Sequence, residues 1–362
     1  MQGHTGDVDV ETVRMNDGRT GGAIQGVRKT ALAGLSIEAL TDALKPLPAF
    51  RAKQIFRWLT RGVRSFNDMT DISYMVREAL DKRFSLYSSV ISRRLSDADG
   101  TVKLQLTLED GCVIESVLLS DDEGRKTACL STQAGCAMGC VFCKTGAIGF
   151  RRNLSTAEII EQFLHLISMG AIANVVIMGM GEPLLNLNAL REALSFITGE
   201  LGFSKRRVTL STSGIAAGIR DLADNGPGVR LAVSLTTADE PLRERLMPVT
   251  RTNPLPLLKE TLIYYQRKHS KRITLETVLL RHINTSHKDA ELVARFADDL
   301  DVAINVIPWN PVAGMRFEGA ALGEPDRAEV ERFIAALQKK GLNVTKRFKK
   351  GRGVAGACGQ LG

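Results

Sequence analysis

Short apolar runs alternate regularly with amphipathic stretches of helical period from about residue 127 onward. The runs have the length of strands, and the capping box Ser155-x-x-Glu158 begins the first amphipathic stretch. Such alternation predicts parallel strands joined by crossover helices. Six units are fewer than a closed eightfold barrel needs, so we expect an α/β fold with an open, partial (β/α)6 TIM-like barrel. The predicted strands are TACLST, NVVIMG, RVTLSTS, VRLAVSLT, RITLETVLL and VAINVIPW.

The chain before this alternation has a different organisation. Its first residues are polar, rich in glycine and without periodicity, which indicates a disordered lead-in. Helical patterns follow at Ser36–Leu44, Pro48–Thr60 and Asp71–Phe84 and predict a small accessory domain. The predicted division is lead-in 1–28, helical RNA-binding domain 29–95, β-hairpin extension 96–125, partial barrel 126–350 and C-terminal tail 351–362.

Composition restricts the class of protein. The longest apolar runs fall far short of the ~20 residues that span a bilayer, so we expect no membrane association. The N-terminus has no apolar core of a secretory signal. Six unevenly spaced cysteines do not indicate a disulfide framework. We therefore expect a cytoplasmic protein, and a monomer, whose thiols are available for metal or redox chemistry.

The net charge of +8 is modest, but its basic residues are clustered. Two runs lack any acid, and such runs suit a polyanion such as RNA. The alternative is a solvated helix face in one run and a frayed tail in the other. The candidate RNA-binding residues are Lys53, Arg57 and Arg61 in the first run, and Lys346, Arg347, Lys349 and Lys350 in the second.

A β-hairpin is predicted from TVKLQLTL, the turn EDG and CVIESVLL. In its second strand Glu115 shares a face with Val113 and Val117. A carboxylate on an apolar strand face costs free energy if it is buried. Glu115 therefore lies on an edge strand or has a function, and the sequence leaves both interpretations open.

Three cysteines, Cys136, Cys140 and Cys143, follow the first predicted strand with the spacing C-x3-C-x2-C. The C-terminal ends of barrel strands are where such folds place their chemistry. Three thiolates on one loop can bind three irons of a cubane cluster and leave the fourth iron free for a substrate or cofactor. A structural zinc site with a remote fourth ligand is the alternative, although no second CxxC pair is present.

Other polar and glycine-rich segments also fall at predicted strand ends. These are GMGEP, STSG, SLTT and PWNP. Taken singly, each would be interpreted as a turn or a cap. Their shared position at the ends of parallel strands makes them candidates for one binding site.

The motifs CAMGCVFC, GMGEPLLN, KRRVTLSTSG, VIPWNP and ACGQL occur here in one order. In this combination the chain resembles the radical S-adenosylmethionine (SAM) superfamily and, more narrowly, the RlmN-type ribosomal-RNA adenine methyltransferases of the RlmN/Cfr family. The resemblance covers roughly residues 30 to 362 and includes the helical N-terminal unit.

The resemblance implies two cofactors, a [4Fe-4S] cluster and SAM. The cluster would be bound by Cys136, Cys140 and Cys143. SAM would be bound at Gly181, Glu182, Ser211, Ser234, Leu235, Thr236 and Asn310. Two departures are visible: Thr236 replaces the histidine usual in the family, and many relatives continue beyond ACGQL.

The resemblance also implies a mechanism. One SAM methylates Cys358, and a 5′-deoxyadenosyl radical from a second SAM then removes a hydrogen from that methyl group. The resulting carbon radical adds to adenine. Cys129 matches the thiol that attacks Cys358, forms a transient disulfide and releases the product, and Glu115 matches the proton acceptor.

The implied substrate is an adenosine of 23S rRNA, with the adenosine 3′ of a tRNA anticodon as a further candidate, and the implied partner is an external low-potential electron donor. The motifs do not separate C2 methylation from Cfr-type C8 methylation, although PAFRAKQIFRWL in the N-terminal unit favours C2. A rival of another class is a non-catalytic Fe–S or zinc RNA-binding module. It would explain the cysteine loop and the basic runs, but neither GMGEP nor Cys358.

Overall fold

The computed structural model describes residues 9–11, 29–347 and 350–362. Within these residues one eleven-stranded sheet runs through the molecule, and its strands are neighbours in their chain order. The strands are β1 (Asp9–Glu11), β2 (Val90–Ser96), β3 (Val102–Thr107), β4 (Val113–Ser120), β5 (Lys126–Cys129), β6 (Ile172–Ile177), β7 (Val208–Thr212), β8 (Arg230–Ser234), β9 (Ile273–Leu279), β10 (Val302–Pro308) and β11 (Asn343–Lys346).

The sheet has an antiparallel half and a parallel half. Strands β1 to β5 pair antiparallel. Strands β5 to β11 all pair parallel. The six predicted barrel strands are β5 to β10, so the predicted partial barrel is confirmed. The sequence pattern missed the seventh parallel strand, β11, because its short segment lies inside the basic C-terminal run.

Crossover helices connect the parallel strands and bury their apolar faces against the sheet. Capping boxes begin three of them: Ser155 with Glu158, Ser286 with Asp289, and Asp326 with Glu329. The helices of the molecule are α1 (Ile37–Ala43), α2 (Ala49–Leu59), α3 (Tyr74–Arg83), α4 (Lys144–Ala147), α5 (Thr156–Ile167), α6 (Leu187–Ser195), α7 (Ala216–Asn225), α8 (Glu240–Leu246), α9 (Leu255–His269), α10 (His287–Ala297) and α11 (Arg327–Lys339).

Short elements complete the described fold. Two-residue to four-residue strands pair outside the main sheet, and brief 3-10 or π turns lie next to several helices and strands. The strand pairs are Thr30–Ala31 with Phe84–Ser85, Gln133–Gly135 with Phe150–Asn153, and Arg316–Phe317 with Ala320–Ala321; the turns are Phe66–Asp68, Pro183–Asn186, Phe196–Glu200, Lys205–Arg207 and Pro248–Arg251.

Helices α1, α2 and α3 form a unit with a core of its own, as the helical patterns predict. The predicted boundary at residue 95 falls inside β2, which belongs to the main sheet. The predicted lead-in 1–28 lies outside the described residues except for β1, which pairs with β2. No helix of the described residues is both long and apolar enough to cross a bilayer.

A buried carboxylate joins this helical unit to the barrel. Glu161 of α5 accepts hydrogen bonds from the backbone N–H of Ser88 at 2.7 Å and of Ser89 at 2.8 Å, and from the Ser89 hydroxyl at 2.5 Å. Burial raises the pKa of Glu161, and these donors counter that shift. The connection between the two units is therefore held by a buried carboxylate that accepts three hydrogen bonds.

Candidate active site

A cavity of about 170 Å³ lies at the C-terminal ends of the parallel strands. A separate groove of about 1230 Å³ beside α8, α10 and α11 contains none of the predicted site residues. The first cavity is therefore the candidate site, although it is the smaller. The predicted residues that line it are Cys136, Cys140, Cys143, Gly181, Glu182, Ser211, Ser234, Asn310, Arg347 and Cys358.

The cysteine loop is closed by backbone contacts at its two ends. Gly135 has a φ of +78°, and a Cβ atom there would stand 1.8 Å from the carbonyl oxygen of Gly149. Only glycine permits this approach. The N–H of Cys136 then donates to that same carbonyl at 3.0 Å, and the N–H of Cys143 donates to the Cys140 carbonyl at 3.1 Å. The loop is thereby folded back over the cavity.

The thiols of this loop suit a cluster better than a single ion. Burial raises the pKa of Cys136 to about 12 and raises the pKa of Cys140, and a thiolate at Cys143 raises both further. Their ionised forms thus require positive charge such as iron supplies. Among the described residues, no three Cys, His, Asp or Glu side chains are grouped to hold one metal ion. A cubane presents a separate iron to each thiolate, so it fits the wider spacing.

Glu182 and Gly181 provide an anionic pocket beside the loop. Glu182 is buried and accepts from Thr212 Oγ1 at 2.6 Å and from the N–H and hydroxyl of Ser213 at 2.7 and 2.8 Å. Burial raises its pKa, which a bound ammonium group would reverse. A Cβ atom on Gly181 would come within 2.8 Å of Gln133, so this position has room only for glycine.

Asn310 leaves a hydrogen-bond acceptor unused at the cavity. Its Nδ2 donates to the carbonyl of Cys358 at 3.1 Å, while its buried Oδ1 has no partner. Buried polar atoms are normally satisfied, so this oxygen fits an incoming donor such as an exocyclic amine. Ser211 and Ser234 also line the cavity, and the Ser211 hydroxyl donates to Glu276 at 2.7 Å. The amide and hydroxyl groups that line the cavity therefore fit the polar groups of SAM.

Two other predicted contacts turn away from the cavity. Leu235 packs its side chain in the main core. Thr236 is buried with φ at +61°, a left-handed conformation that is rare for a β-branched residue, and its hydroxyl has no partner. Any contact of these two residues with a ligand would have to come from the backbone, although the Thr236 carbonyl already accepts from Asn284 at 3.0 Å.

The C-terminal tail is docked over the cavity, and this brings Cys358 to its wall. Backbone N–H groups of Gly351 and Gly353 donate to Asp99 and Asp97 at 2.7 and 2.8 Å. Closer to the cysteine, the N–H of Lys144 donates to the Gly359 carbonyl at 2.8 Å. The tail therefore contacts both the hairpin and the cysteine loop. Further contacts are Thr145 Oγ1 to Leu361 O at 2.6 Å and Gln360 Nε2 to Pro311 O at 3.0 Å.

Cys129 is buried at the end of β5, behind the tail cysteine. Burial raises its pKa to about 12, and a thiolate at Cys358 raises it further, whereas Arg347 acts in the opposite direction. All six cysteines are free thiols. A charge on either of the two predicted reactive thiols therefore acts on the same arginine, Arg347.

Glu115 is 3 % exposed and lies on β4, between β3 and β5, which excludes the edge-strand interpretation. Its Oε1 lies 3.0 Å from Lys103 Nζ and accepts from Gln105 Nε2 at 3.0 Å. Its Oε2 accepts from the N–H of Gly362 at 3.0 Å. The Glu115 carboxylate is thereby held by a buried lysine, a side-chain amide and the backbone of the tail.

Comparison with known proteins assigns the family. The model of the radical SAM superfamily matches residues 130–293, and that of the ribosomal RNA large subunit methyltransferase N-terminal domain matches residues 30–86. A Treponema denticola protein described as a "Probable dual-specificity RNA methyltransferase RlmN" is 51% identical over 92% of this chain and 96% of its own length. The chain belongs to the RlmN family of radical SAM RNA methyltransferases. Its cofactors are a [4Fe-4S] cluster and SAM.

Further relatives agree with this membership. A Thermus thermophilus protein with the same description is 40% identical and covers 90% of this chain and 92% of its own. The crystal structure of a radical SAM methyltransferase from Sphaerobacter thermophilus superposes with a TM-score of 0.84 at 34% identity. It covers 92% of this chain and 99% of that one. The RlmN-family fold therefore extends over both the helical unit and the barrel.

The basic residues of this RlmN-family enzyme fall into two groups. Lys53 and Arg57 of α2 are exposed, as are Arg61, just beyond the end of that helix, and Lys346. Arg347 lines the cavity and donates to Glu276 at 3.3 Å, and Lys350 pairs with Asp122 at 2.5 Å. Lys349 lies outside the described residues. The basic residues at α2 are therefore accessible to RNA. Arg347 and Lys350 of the C-terminal run instead have partners within the molecule.

Sequence reasoning missed four polar residues of the RlmN-family site. Lys103 and Gln105 hold Glu115, and the hairpin register could have found them, because Gln105 lies directly opposite Glu115. Glu276, in the middle of β9, accepts from Ser211 and Arg347, and its only signal was an acid within an apolar strand. Arg243 of α8 gave no signal that separates it from a solvated helix residue.

Proposed function

We propose that this RlmN-family enzyme methylates C2 of an adenosine in 23S rRNA and the adenosine 3′ of the anticodon in tRNA, with Cys358 as the methyl carrier. The observation that supports this most is the position of Cys358 on the same cavity wall as Cys136, Cys140 and Cys143. The dual-specificity description of the relatives supports two RNA substrates.

The residues of the cavity divide between the two cofactors. Cys136, Cys140 and Cys143, which line the cavity, would hold the cluster. When bound, the cofactors supply an electrophilic methyl group and a radical able to remove hydrogen from a methyl group. The SAM-binding residues would be Gly181, Glu182, Ser211, Ser234 and Asn310, with backbone atoms of Leu235 and Thr236.

A thiol carrier solves a problem of polarity. C2 of adenine lies between two ring nitrogens and is electron-poor, so it does not attack an electrophilic methyl group. The thiolate of Cys358 is a good nucleophile and accepts the methyl group in a polar displacement. Covalent attachment therefore divides one unfavourable transfer into two easier steps. The glycine-rich backbone around Cys358 permits its close approach to a cofactor.

Product release needs a second thiol and a proton acceptor. Cys129 would attack the sulfur of Cys358, form the disulfide and free the methylated base. The proton lost from C2 would pass to Glu115, which Lys103 holds beside the tail through contacts at 3.0 Å to Glu115 Oε1 and 3.3 Å to the Ala355 carbonyl. An external low-potential electron donor would supply the electron that the cluster needs and the two electrons that reduce the disulfide.

Nucleoside mass spectrometry of a deletion strain tests the proposal. Loss of the gene should remove 2-methyladenosine from 23S rRNA and tRNA, and the intact gene should restore it while Cys358→Ala should not. Persistence of 2-methyladenosine in the deletion strain would contradict the proposal. Loss of 8-methyladenosine instead would assign the C8 reaction.

A second experiment tests the division of roles between the two thiols. Cys129→Ala should accumulate a covalent adduct between Cys358 and RNA, because the attack that releases the product is removed. Denaturing gel electrophoresis and mass spectrometry of the RNase-treated protein detect the adduct. Cys112→Ala is a matched control, since Cys112 is buried in the same core as Cys129 and is not one of the predicted reactive thiols. Unmodified Cys129→Ala protein would contradict the role of Cys129.

A further inference from the structure

Arg243, on α8, is a fully buried cation at 0% exposure. Its guanidinium donates to the carbonyls of Ser213 at 2.8 Å, Ser234 at 3.2 Å and Leu235 at 3.1 Å. It also donates to Thr250 Oγ1 at 2.7 Å. All four acceptors are neutral, and no described carboxylate forms an ion pair with it. Among the described carboxylates Glu240 acts on it but forms no ion pair with it, and because buried charges are normally paired, an anion beside the guanidinium would be stabilising.

The cysteine loop packs directly against α8, the helix that carries Arg243. The N–H of Val141 donates to the carbonyl of Leu246 at 3.1 Å. Phe142 of the loop shares an apolar cluster with Leu242 and Leu246 of α8. A thiolate at Cys140 attracts the guanidinium and raises its pKa, against the lowering by burial. The negative charge that acts on Arg243 therefore comes mainly from the cysteine loop, with a smaller contribution from Glu240 of α8.

The same guanidinium also supports the SAM side of the cavity. Its contacts to Ser213 and Ser234 hold the loop segments that follow β7 and β8. Ser213 in turn donates twice to Glu182. Arg243 thus lies behind the cysteine loop and behind two candidate SAM-binding segments. It does not itself line the cavity.

We propose that Arg243 is a positioning residue that acts as the fixed countercharge of the iron–sulfur cluster. A cubane core bound by three thiolates is anionic and gains a further negative charge on reduction. A buried cation next to it stabilises the cluster and, to a greater extent, its reduced form. This inference depends on the presence of the cluster and is independent of which adenine carbon is methylated.

The test compares the cluster potentials of two full-length variants, reconstituted anaerobically without RNA. Arg243→Gln removes the charge and keeps N–H donors for the carbonyls, whereas Arg243→Lys keeps the charge. We expect Arg243→Gln to make cluster reduction roughly tenfold less favourable, a shift of about 59 mV to lower potential for one electron. Arg243→Lys should stay near the parent value. Electron paramagnetic resonance during a redox titration measures both potentials.

Thermal unfolding separates this effect from ordinary structural support. The cluster-loaded protein should unfold at a higher temperature than the apo-protein, and Arg243→Gln should narrow that gap while Arg243→Lys preserves it. A merely structural role would lower both temperatures equally and leave the potential of the remaining cluster unchanged. That result would overturn the proposal.

Two further outcomes keep the test decisive. Arg245→Gln removes an exposed charge from the same helix, where Arg245 pairs with Glu318, and should leave the potential unchanged. If Arg243→Gln fails to fold, Arg243→Met replaces it as the uncharged variant: a shift to lower potential supports the proposal, and an unchanged potential contradicts it. A large negative shift in the charge-preserving Arg243→Lys variant also contradicts it.

Discussion

Two basic runs of this RlmN-family enzyme look alike in sequence and differ in the fold. Lys53 and Arg57 on α2 and Arg61 just after it, together the α2 stripe, are exposed, and no described carboxylate pairs with them. In the C-terminal run, Arg347 contacts Glu276 at 3.3 Å. Lys350 and Arg352 of that run pair with Asp122 at 2.5 Å and Glu324 at 3.0 Å.

The difference shows that a cluster of basic residues specifies no partner until the acids are placed around it. The α2 stripe has only solvent or an external polyanion to bind. The C-terminal run crosses acids of the hairpin and the barrel, and its contacts help hold the tail that carries Cys358. One run therefore remains available for RNA, and most described members of the other stabilise the site.

Of the substitutions that test this difference between the two runs, Arg347→Gln should have the largest effect. Arg347→Gln should slow methylation of Cys358 by SAM roughly tenfold to a hundredfold, because a hydrogen bond or contact with a charged group contributes about 1.5–3 kcal/mol. Arg347 lines the cavity with Cys358, and a Cys358 thiolate raises the pKa of Arg347. Mass spectrometry of the Cys358 peptide over time measures the rate.

Arg347→Lys is the matched control for that variant, since it retains the positive charge and should recover much of the rate. RNA affinity measured against salt concentration should be the same in both variants. If methylation of Cys358 is unchanged and the salt dependence falls instead, Arg347 belongs with the RNA-binding residues and the comparison fails.

The α2 stripe should show the opposite pattern. The triple variant Lys53→Gln, Arg57→Gln, Arg61→Gln should lower RNA affinity about tenfold and reduce the slope of log affinity against log salt by roughly 2–3, since each phosphate contact adds about 0.7–0.9. Cys358 methylation without RNA should not change. Fluorescence anisotropy with labelled RNA over a salt series measures the slope.

A control for the triple variant removes exposed basic residues from the opposite end of the barrel. Lys268 and Arg272 lie beside the start of β9, away from the cavity, and pair with Asp224 and Asp301. Lys268→Gln with Arg272→Gln should leave the salt slope unchanged. Equal losses from both variants would show that only net charge matters and that α2 is not a specific RNA surface.

Lys350 and Arg352 should give the smallest effect. Each of their ion pairs has one exposed partner and one partly covered partner, and ion pairs near the surface contribute little to stability. Lys350→Gln with Arg352→Gln should produce a small increase in hydrogen exchange of residues 350–362 and no change in the RNA salt slope. Hydrogen–deuterium exchange mass spectrometry measures the first quantity. A fall in the salt slope without faster exchange would assign both residues to RNA binding.

Much of the fold followed from periodicity. The hairpin, the accessory helices and the six parallel strands β5 to β10 are local patterns, and each appears within a few residues of its predicted bounds. Strand β2 was missed because VISRRLS has weak alternation and follows the helical unit directly. Strand β11 was missed because it is short and its residues are largely exposed and polar.

The sequence by itself determined the partial barrel, the cysteine loop and the set of strand-end residues that meet at one cavity, because each depends on local spacing. Tertiary structure alone decided which charges are buried, which groups contact Glu115 and where Cys358 lies. These depend on contacts between distant segments, such as Lys103 with the Ala355 carbonyl across 252 residues. No local pattern encodes the partner of a buried charge, and for that reason Arg243 and Arg347 resembled ordinary surface residues until the chain was folded.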